Sequence, residues 1–353
     1  MIAANHRIRS VSRMLLKVTH TTDLTYSDLI SESVIELRMC PRQEGDQHRL
    51  SFSLAIGPRT AVTPYFDWLG NTVHAFTVNK FHRQIRIVAT SVVETQRFRL
   101  IPQDFADAYP LSTESYDADT WDFLHFAGPI VDSPALRKLA AEIHPRPGEP
   151  LGEIAQRMLD LINNRFTYQQ GITTAASPIT ETLEHGQGVC QDFTHLMIGL
   201  ARALGIPARY VSGVVHPDQQ RYRGFTQTHA WCELLFPSVG WVGFDPTNHC
   251  TISQNFVKVG IGRDYRDVPP NKGVYRGKAS ESIAVAVNSE ELETVPQALA
   301  AERLESLPVD VFSEYANAVD RTLASHQQEH QQQQSRDGEV VQQQQQQQQQ
   351  RDK

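Results

Sequence analysis

From Met14 to about Thr95 the apolar residues fall largely on alternate positions, in the runs LLKVTH, SVIELRM, RLSFSLAI, NTVHAFTV and QIRIVATSVV. A period of two gives each run one face to bury, which suits a pleated strand and not a helix. Phe52, Leu54 and Ile56 alternate with Ser51, Ser53 and Ala55, and Gly70-Asn71 supplies a turn before the next run. The pattern predicts an all-β unit, a small sandwich, over residues 14–97.

The period then changes. Residues 98–135 gather Pro, Asp, Ser and aromatics, residues 134–145 look helical, and 98–150 together read as a linker with short helices. In LGEIAQRMLDLINNRF, Ile154, Met158, Leu161 and Ile162 recur at helical spacing. Phe193, Leu196, Met197, Leu200 and Leu204 form a second apolar stripe, and Gly205 with Pro207 ends it, so a helix is expected from about Cys190 to Leu204. Three strand-like runs follow: ARYVSGVV, HAWCELLF and GWVGFDPT. A helix feeding an antiparallel sheet is an α+β pattern, and residues 151–290 are assigned to this core. Strand-like pieces are expected over 273–288 and a helical segment over 291–325. Residues 326–353 form a glutamine-rich tail too polar to bury a core, and residues 1–13 read as an extension.

The chain has 353 residues, enough for two domains, and a formal net charge of −7 with 40% hydrophobic residues. That acidity argues against nucleic acid as a partner, because phosphate binding needs clustered Lys and Arg. No apolar run approaches the roughly 18 residues of a membrane span, and residues 1–13 lack the apolar stretch of an export signal, so a cytoplasmic protein is expected. The four cysteines, Cys40, Cys190, Cys232 and Cys250, form no CxxC pair and are expected as free thiols. Asp117, Asp119 and Asp122 lack the glycine and terminal glutamate of a calcium loop, and Cys250 and His249 with Cys190 or His195 lack zinc-site spacing. No metal and no cofactor is expected.

Cys190 carries the chemistry. The first turn of a helix offers unpaired N–H groups that stabilise a thiolate, and Gly186 and Gly188 let the preceding backbone turn sharply. A base is still required. His229 opens HAWCELLF, where it projects with Trp231 and Glu233 while Ala230, Cys232 and Leu234 take the other face. That places the imidazole at a strand edge, with Cys232 in the core and Trp231 and Trp241 as packing residues. Asp245 ends the next strand, within reach of the ring if the strands pair, and would fix the tautomer and leave the second nitrogen to the thiol.

The blocks GQGVCQDFTHLMIGLARALGIPARYVSG, THAWCEL and GWVGFDPTN resemble the transglutaminase-like superfamily core, tightly over about residues 155–250. The stretch from Leu15 to about Thr95 resembles the N-terminal region attached to this core in bacterial members, and GIGRDYRDVPPNKGVYRG their downstream part. The resemblance implies a papain-like fold, a central helix packed on antiparallel sheet, with Cys190 as nucleophile, His229 as general base and then acid, and Asp245 as orienting carboxylate. The Cys190 N–H is one candidate oxyanion donor, with Gln187 or Tyr168 as the second, and Asp192 is a candidate supporting carboxylate.

Two functions compete. In the first, Cys190 attacks a peptide or glutamine carboxamide and forms a thioester, which water resolves in a protease or amidase and an amine acyl acceptor resolves in a crosslinking enzyme. The partner is then a protein or peptide substrate. In the second, the fold is a catalytically idle interaction module; a weaker third option is assembly through the glutamine tail. Nothing in the sequence resembles a calcium-ligand cluster, so turnover is expected to be the same in chelator as in millimolar calcium. An assay silent until calcium is added would refute this.

Overall fold

The alternating segment folds as β1 (Val11–Ile30), β2 (Glu32–Leu37), β3 (Gln47–Gly57), β4 (Val62–Phe66), β5 (Thr72–Val78) and β6 (His82–Phe98). The computed structural model describes residues 11–98, 105–114, 116–217, 222–223, 228–296 and 302–309. The helical region contains α1 (Ala118–Asp122), α2 (Pro134–Ala141), α3 (Leu151–Arg165), β7 (Thr167–Tyr168), α4 (Ile179–His185), β8 (Gln187–Gly188) and α5 (Cys190–Ala203). Then come β9 (Ala208–Val215), β10 (His229–Phe236), β11 (Gly240–Asp245), β12 (Cys250–Thr251) and β13 (Phe256–Gly262). The last described strands are β14 (Asn271–Arg276), β15 (Glu281–Glu291) and β16 (Arg303–Ser306).

Two sheets, ordered β15-β1-β6-β3-β16 and β14-β2-β5-β4, close a sandwich over Leu24, Ile35, Phe52, Leu54, Phe76 and Ile87. Its boundary differs from the expected one. β14 pairs antiparallel with β2, β15 with β1, and β16 lies parallel to β3, so the C-terminal strands return to the N-terminal domain and leave the 151–290 core at β13. The helix expected over 291–325 is absent from its described part, which holds β16. Pairing with the open edge of β3 satisfies that backbone instead, and Leu307 N–H extends it by donating to Ile56 O at 2.9 Å. Of the expected extension over residues 1–13, residues 11–13 belong to β1 and pair with β6; residues 1–10 and 310–353, with most of the extension and the expected tail, lie outside the described residues.

The second core is α+β. Its sheet runs β12-β11-β10-β9-β13, and Tyr210, Ala230, Cys232, Leu234 and Phe244 pack in one cluster with Phe193, Leu196, Met197 and Leu200 of α5. The stretch expected to be a linker belongs to this cluster through Phe105, Ile130, Leu136, Leu139 and Ile143. Ser133 caps α2 by accepting from Leu136 N–H at 3.2 Å, and Pro134 stands at its first position. Asp117, first of the three spaced aspartates, caps α1 by accepting from Thr120 N–H.

The sandwich holds the edge of the core sheet. Val214 of β9 and its partner Val257 pack with Leu16, Val18 and Val93 of β1 and β6. β13 is an edge strand, and two side-chain amides take the place of a neighbour. Gln47 bonds both the N–H and the C=O of Lys258 at 2.8 Å, and Asn71 bonds both groups of Ile261 at 2.9 Å. A bulge between Lys258 and Gly260 shifts the outward-facing peptides to this odd spacing. Beneath them buried Glu233 meets Lys258 at 2.5 Å and Arg209 at 2.6 Å, while Lys258 also meets Glu44 at 2.6 Å. Burial alone would raise the Glu233 pKa, but the two cations hold it at about 2.

Asn71→Ala leaves the Ile261 peptide groups buried without partners. The unfolding free energy, measured by urea titration, is expected to fall by about 2 kcal/mol; no measurable change would mean that the edge is not held in this way.

Candidate active site

The backbone before Cys190 is built from two glycines with different tasks. Gly186 ends α4 in the left-handed region at φ 66°, its N–H donating to Thr182 O. At Gly188 a Cβ would come within 2.8 Å of Asp192 Cβ, so only glycine lets the loop lie against α5. Asp192 is buried and caps the helix, Oδ2 accepting from Val189 N–H at 2.8 Å and Thr173 Oγ1 at 2.6 Å. Burial nevertheless pushes its pKa up. Asp192 therefore sets the start of α5, and Cys190 emerges half-buried at that start.

β7 runs beside β8 in a parallel bridge that pairs Tyr168 with Gly188, and Gln169 N–H donates to Gly188 O at 2.9 Å. Tyr168 thereby stands next to the cysteine loop; burial first, then the charge of Cys190, pushes its hydroxyl pKa up. Gln187 lies half-buried on the same bridge.

His229 begins β10, but its ring is not at an open edge. The side chain is fully buried, with the ring centroids of Trp231 and Phe256 at 6.3 and 6.2 Å. Its strand partner is Gly213, where a Cβ would lie 2.3 Å from the Trp231 ring, so the bare backbone makes room for this aromatic cover. Phe244 pairs with Cys232; one step on, Asp245 reaches the level of Trp231 and becomes the same-face diagonal neighbour of His229. His229 Nε2 and Asp245 Oδ2 are 2.7 Å apart. The sequence left one further partner unread: Asn248 Nδ2 donates to Asp245 Oδ2 at 2.6 Å, while Thr247 and Asn248 N–H groups donate to Oδ1 at 2.9 and 3.2 Å. The Asp-Pro-Thr-Asn run is the available signal, because aspartate opening a tight turn collects such donors.

With Nε2 committed to Asp245, buried Nδ1 is the nitrogen left to Cys190. Burial would lower the imidazole pKa; the Asp245 charge and hydrogen bond, then Cys190, outweigh it and raise it to about 10. Cys190, His229 and Asp245 are thus brought together, with Tyr168 beside the cysteine loop, Gln187 on the bridge that precedes it and Asp192 at the same helix start. The residues weighed for zinc are engaged separately: His195 Nε2 accepts from Tyr265 N–H at 3.1 Å and His249 meets Asp160 at 2.7 Å. Among the described residues no cluster of three or more His, Cys, Asp or Glu could hold a metal.

A cysteine at the start of a buried helix, facing a histidine on an antiparallel sheet, defines a papain-like α+β fold. The chain belongs to the transglutaminase-like superfamily: residues 137–246 match its core, and residues 16–94 match the bacterial transglutaminase-like N-terminal region. An uncharacterized protein of Mycobacterium leprae is 30% identical over 281 residues, covering 77% of this chain and 97% of the relative. An uncharacterized protein of Mycobacterium tuberculosis H37Rv is 33% identical over 291 residues, covering 77% and 91%. The crystal structure of a candidate cysteine protease from Cytophaga hutchinsonii superposes with a TM-score of 0.66 at 25% identity, over 82% of this chain and 96% of that one. A protein-glutamine gamma-glutamyltransferase of Pseudomonas aeruginosa is 28% identical over 126 residues, 34% of this chain and 19% of the relative.

The raised His229 pKa has a consequence for stability. A folded value of about 10 against the ordinary 6.5 means that the stabilisation is complete below pH 6.5 and is lost as the pH rises toward 10. Urea unfolding should show wild type losing its advantage over Asp245→Asn across that interval; a constant difference would contradict the coupling.

Proposed function

We propose that the protein is a cysteine-dependent enzyme that cleaves peptide or glutamine carboxamide bonds through a thioester, with Cys190, His229 and Asp245 as its triad. The observation that carries this reading is the buried His229–Asp245 pair, whose second ring nitrogen is left to a half-buried thiol at a helix start. His229 takes the thiol proton, and Cys190 Sγ bonds to the carbonyl carbon. As the intermediate collapses, the C–N bond breaks and His229 returns the proton to the leaving amine. A water then loses a proton to His229 as its oxygen bonds to the acyl carbon; the C–S bond breaks, the acid leaves, and the proton returns to the thiolate. The Cys190 N–H, with Gln187 or Tyr168, is assigned to the developing oxyanion.

Water is favoured over an amine as the group that resolves the thioester. The Cytophaga hutchinsonii protein is matched over 96% of its chain, whereas the glutamine transferase is matched over 19% of its length.

Alkylation by iodoacetamide at neutral pH, followed site by site with mass spectrometry, tests the assignment. Cys190 should react first of the four cysteines, and His229→Ala should slow it by about 100-fold, the scale of a lost catalytic base. A Cys190 that reacts no faster than the other thiols, and indifferently to His229, would leave the fold as an interaction module.

A further inference from the structure

Arg223 stands at the rim of the site. Its guanidinium lies over the Tyr168 ring, 5.7 Å from the centroid, and its side chain is exposed. Among the described residues no carboxylate pairs with it, although Arg157, Arg165 and Arg266 are all ion-paired. The residue is nonetheless anchored. Arg223 N–H donates to Asn248 Oδ1 at 2.7 Å, and Asn248 Nδ2 approaches Arg223 O at 3.4 Å while donating to Asp245 Oδ2 at 2.6 Å. The preceding residue, Tyr222, is buried with its ring 5.4 Å from that of Phe256, which also covers His229. The backbone that bears the cation is thus tied to the same carboxylate and the same aromatic that place the imidazole.

A guanidinium laid on an aromatic face keeps its N–H fork open in plane, where it matches a carboxylate in two parallel hydrogen bonds. Tyr168 stands beside the cysteine loop and senses the Cys190 charge, so an anion held by Arg223 lies on the approach to the thiol. The chain carries a net charge of −7, a field that repels anions and makes one unpaired cation at the site decisive. We propose that Arg223 is a specificity residue that selects acyl donors bearing a carboxylate close to the scissile carbonyl. This rests on Cys190 as the nucleophile. The carboxylate is that of an acidic side chain or of a free chain terminus.

Two small electrophiles read this without turnover. Iodoacetate carries a carboxylate and iodoacetamide is its neutral counterpart; in each case the Cys190 S–C bond forms, the C–I bond breaks and iodide leaves. In the full-length protein, the ratio of the iodoacetate to the iodoacetamide rate at Cys190 should fall at least fivefold in Arg223→Gln and recover in part in Arg223→Lys. Raising the salt concentration should shrink the wild-type ratio toward that of the variant. An unchanged ratio overturns the proposal. Because only the ratio is compared, it does not depend on His229, whose own test decides the enzyme reading. Peptide pairs then identify the source: a larger Arg223→Gln loss of kcat/KM for glutamate than for glutamine beside the scissile bond supports the side chain, and a larger loss for a free than for an amidated terminus supports the terminus. Equal losses on all four peptides would show that Arg223 only shapes the site and would overturn the proposal.

Discussion

Helix α5 is buried almost along its whole length, from Asp192 through Arg202, and the rest of the core is arranged to cover it. Such a helix cannot rest on one sheet alone; it needs walls on every side. The sheet residues Tyr210, Ala230, Cys232 and Leu234 supply one, and Leu136, Leu159 and Ile179 of α2, α3 and α4 supply others. Gly199 shows how closely these walls approach, since a Cβ there would lie 3.1 Å from Ile179 and 3.3 Å from Leu136. At the far end, Arg202 is buried with its guanidinium donating to the carbonyls of Phe123, His125, Ala208 and Arg263 at 2.7 to 3.0 Å. Burial lowers its pKa to about 10, so it stays charged and binds the covering segments together. The part-exposed residues of α5 lie at its two ends, Ala203 in the last turn and Cys190 with Gln191 in the first.

The site depends on a second set of constraints that α5 does not supply. Asp245 gathers donors from His229, Thr247 and Asn248, which fixes its carboxylate in one orientation. The aromatic cover of Trp231 and Phe256 keeps water from the His229–Asp245 pair, and low polarity strengthens their attraction. The sheet that bears both residues is held in turn by the sandwich, whose Gln47 and Asn71 occupy the edge of β13 and whose Glu44 joins the Glu233–Lys258 pair. The N-terminal domain thus takes part in positioning His229 and Asp245 from behind the sheet.

Much of this was legible in the residues. The alternation of Phe52, Leu54 and Ile56 reported a strand with one buried face, and the stripe from Phe193 to Leu204 reported α5 to within one residue of its end. The placement of Cys190 before that stripe, and of His229 and Asp245 on successive strands, was equally visible. The segment around Leu136 was read as helical but not as core, because the periodicity of Leu136 and Leu139 reports a buried face and is silent about which element covers it. The return of β14, β15 and β16 to the sandwich was missed because alternation tells which face of a strand is buried and is silent about its neighbour. Asn248 and Arg223 are polar residues in irregular stretches, where no period marks them and only the fold shows which groups they meet.

By itself, then, the sequence determined most of the elements, their order and which side chains are available for chemistry, since these follow from local periodicity, turn chemistry and side-chain type. The tertiary structure decided which strands pair, that His229 is enclosed, that Asp245 meets its Nε2, and that Arg223 lies over Tyr168 with no carboxylate partner among the described residues. Those outcomes depend on contacts between residues far apart in the chain, whose energies exist only once the backbone has brought them together.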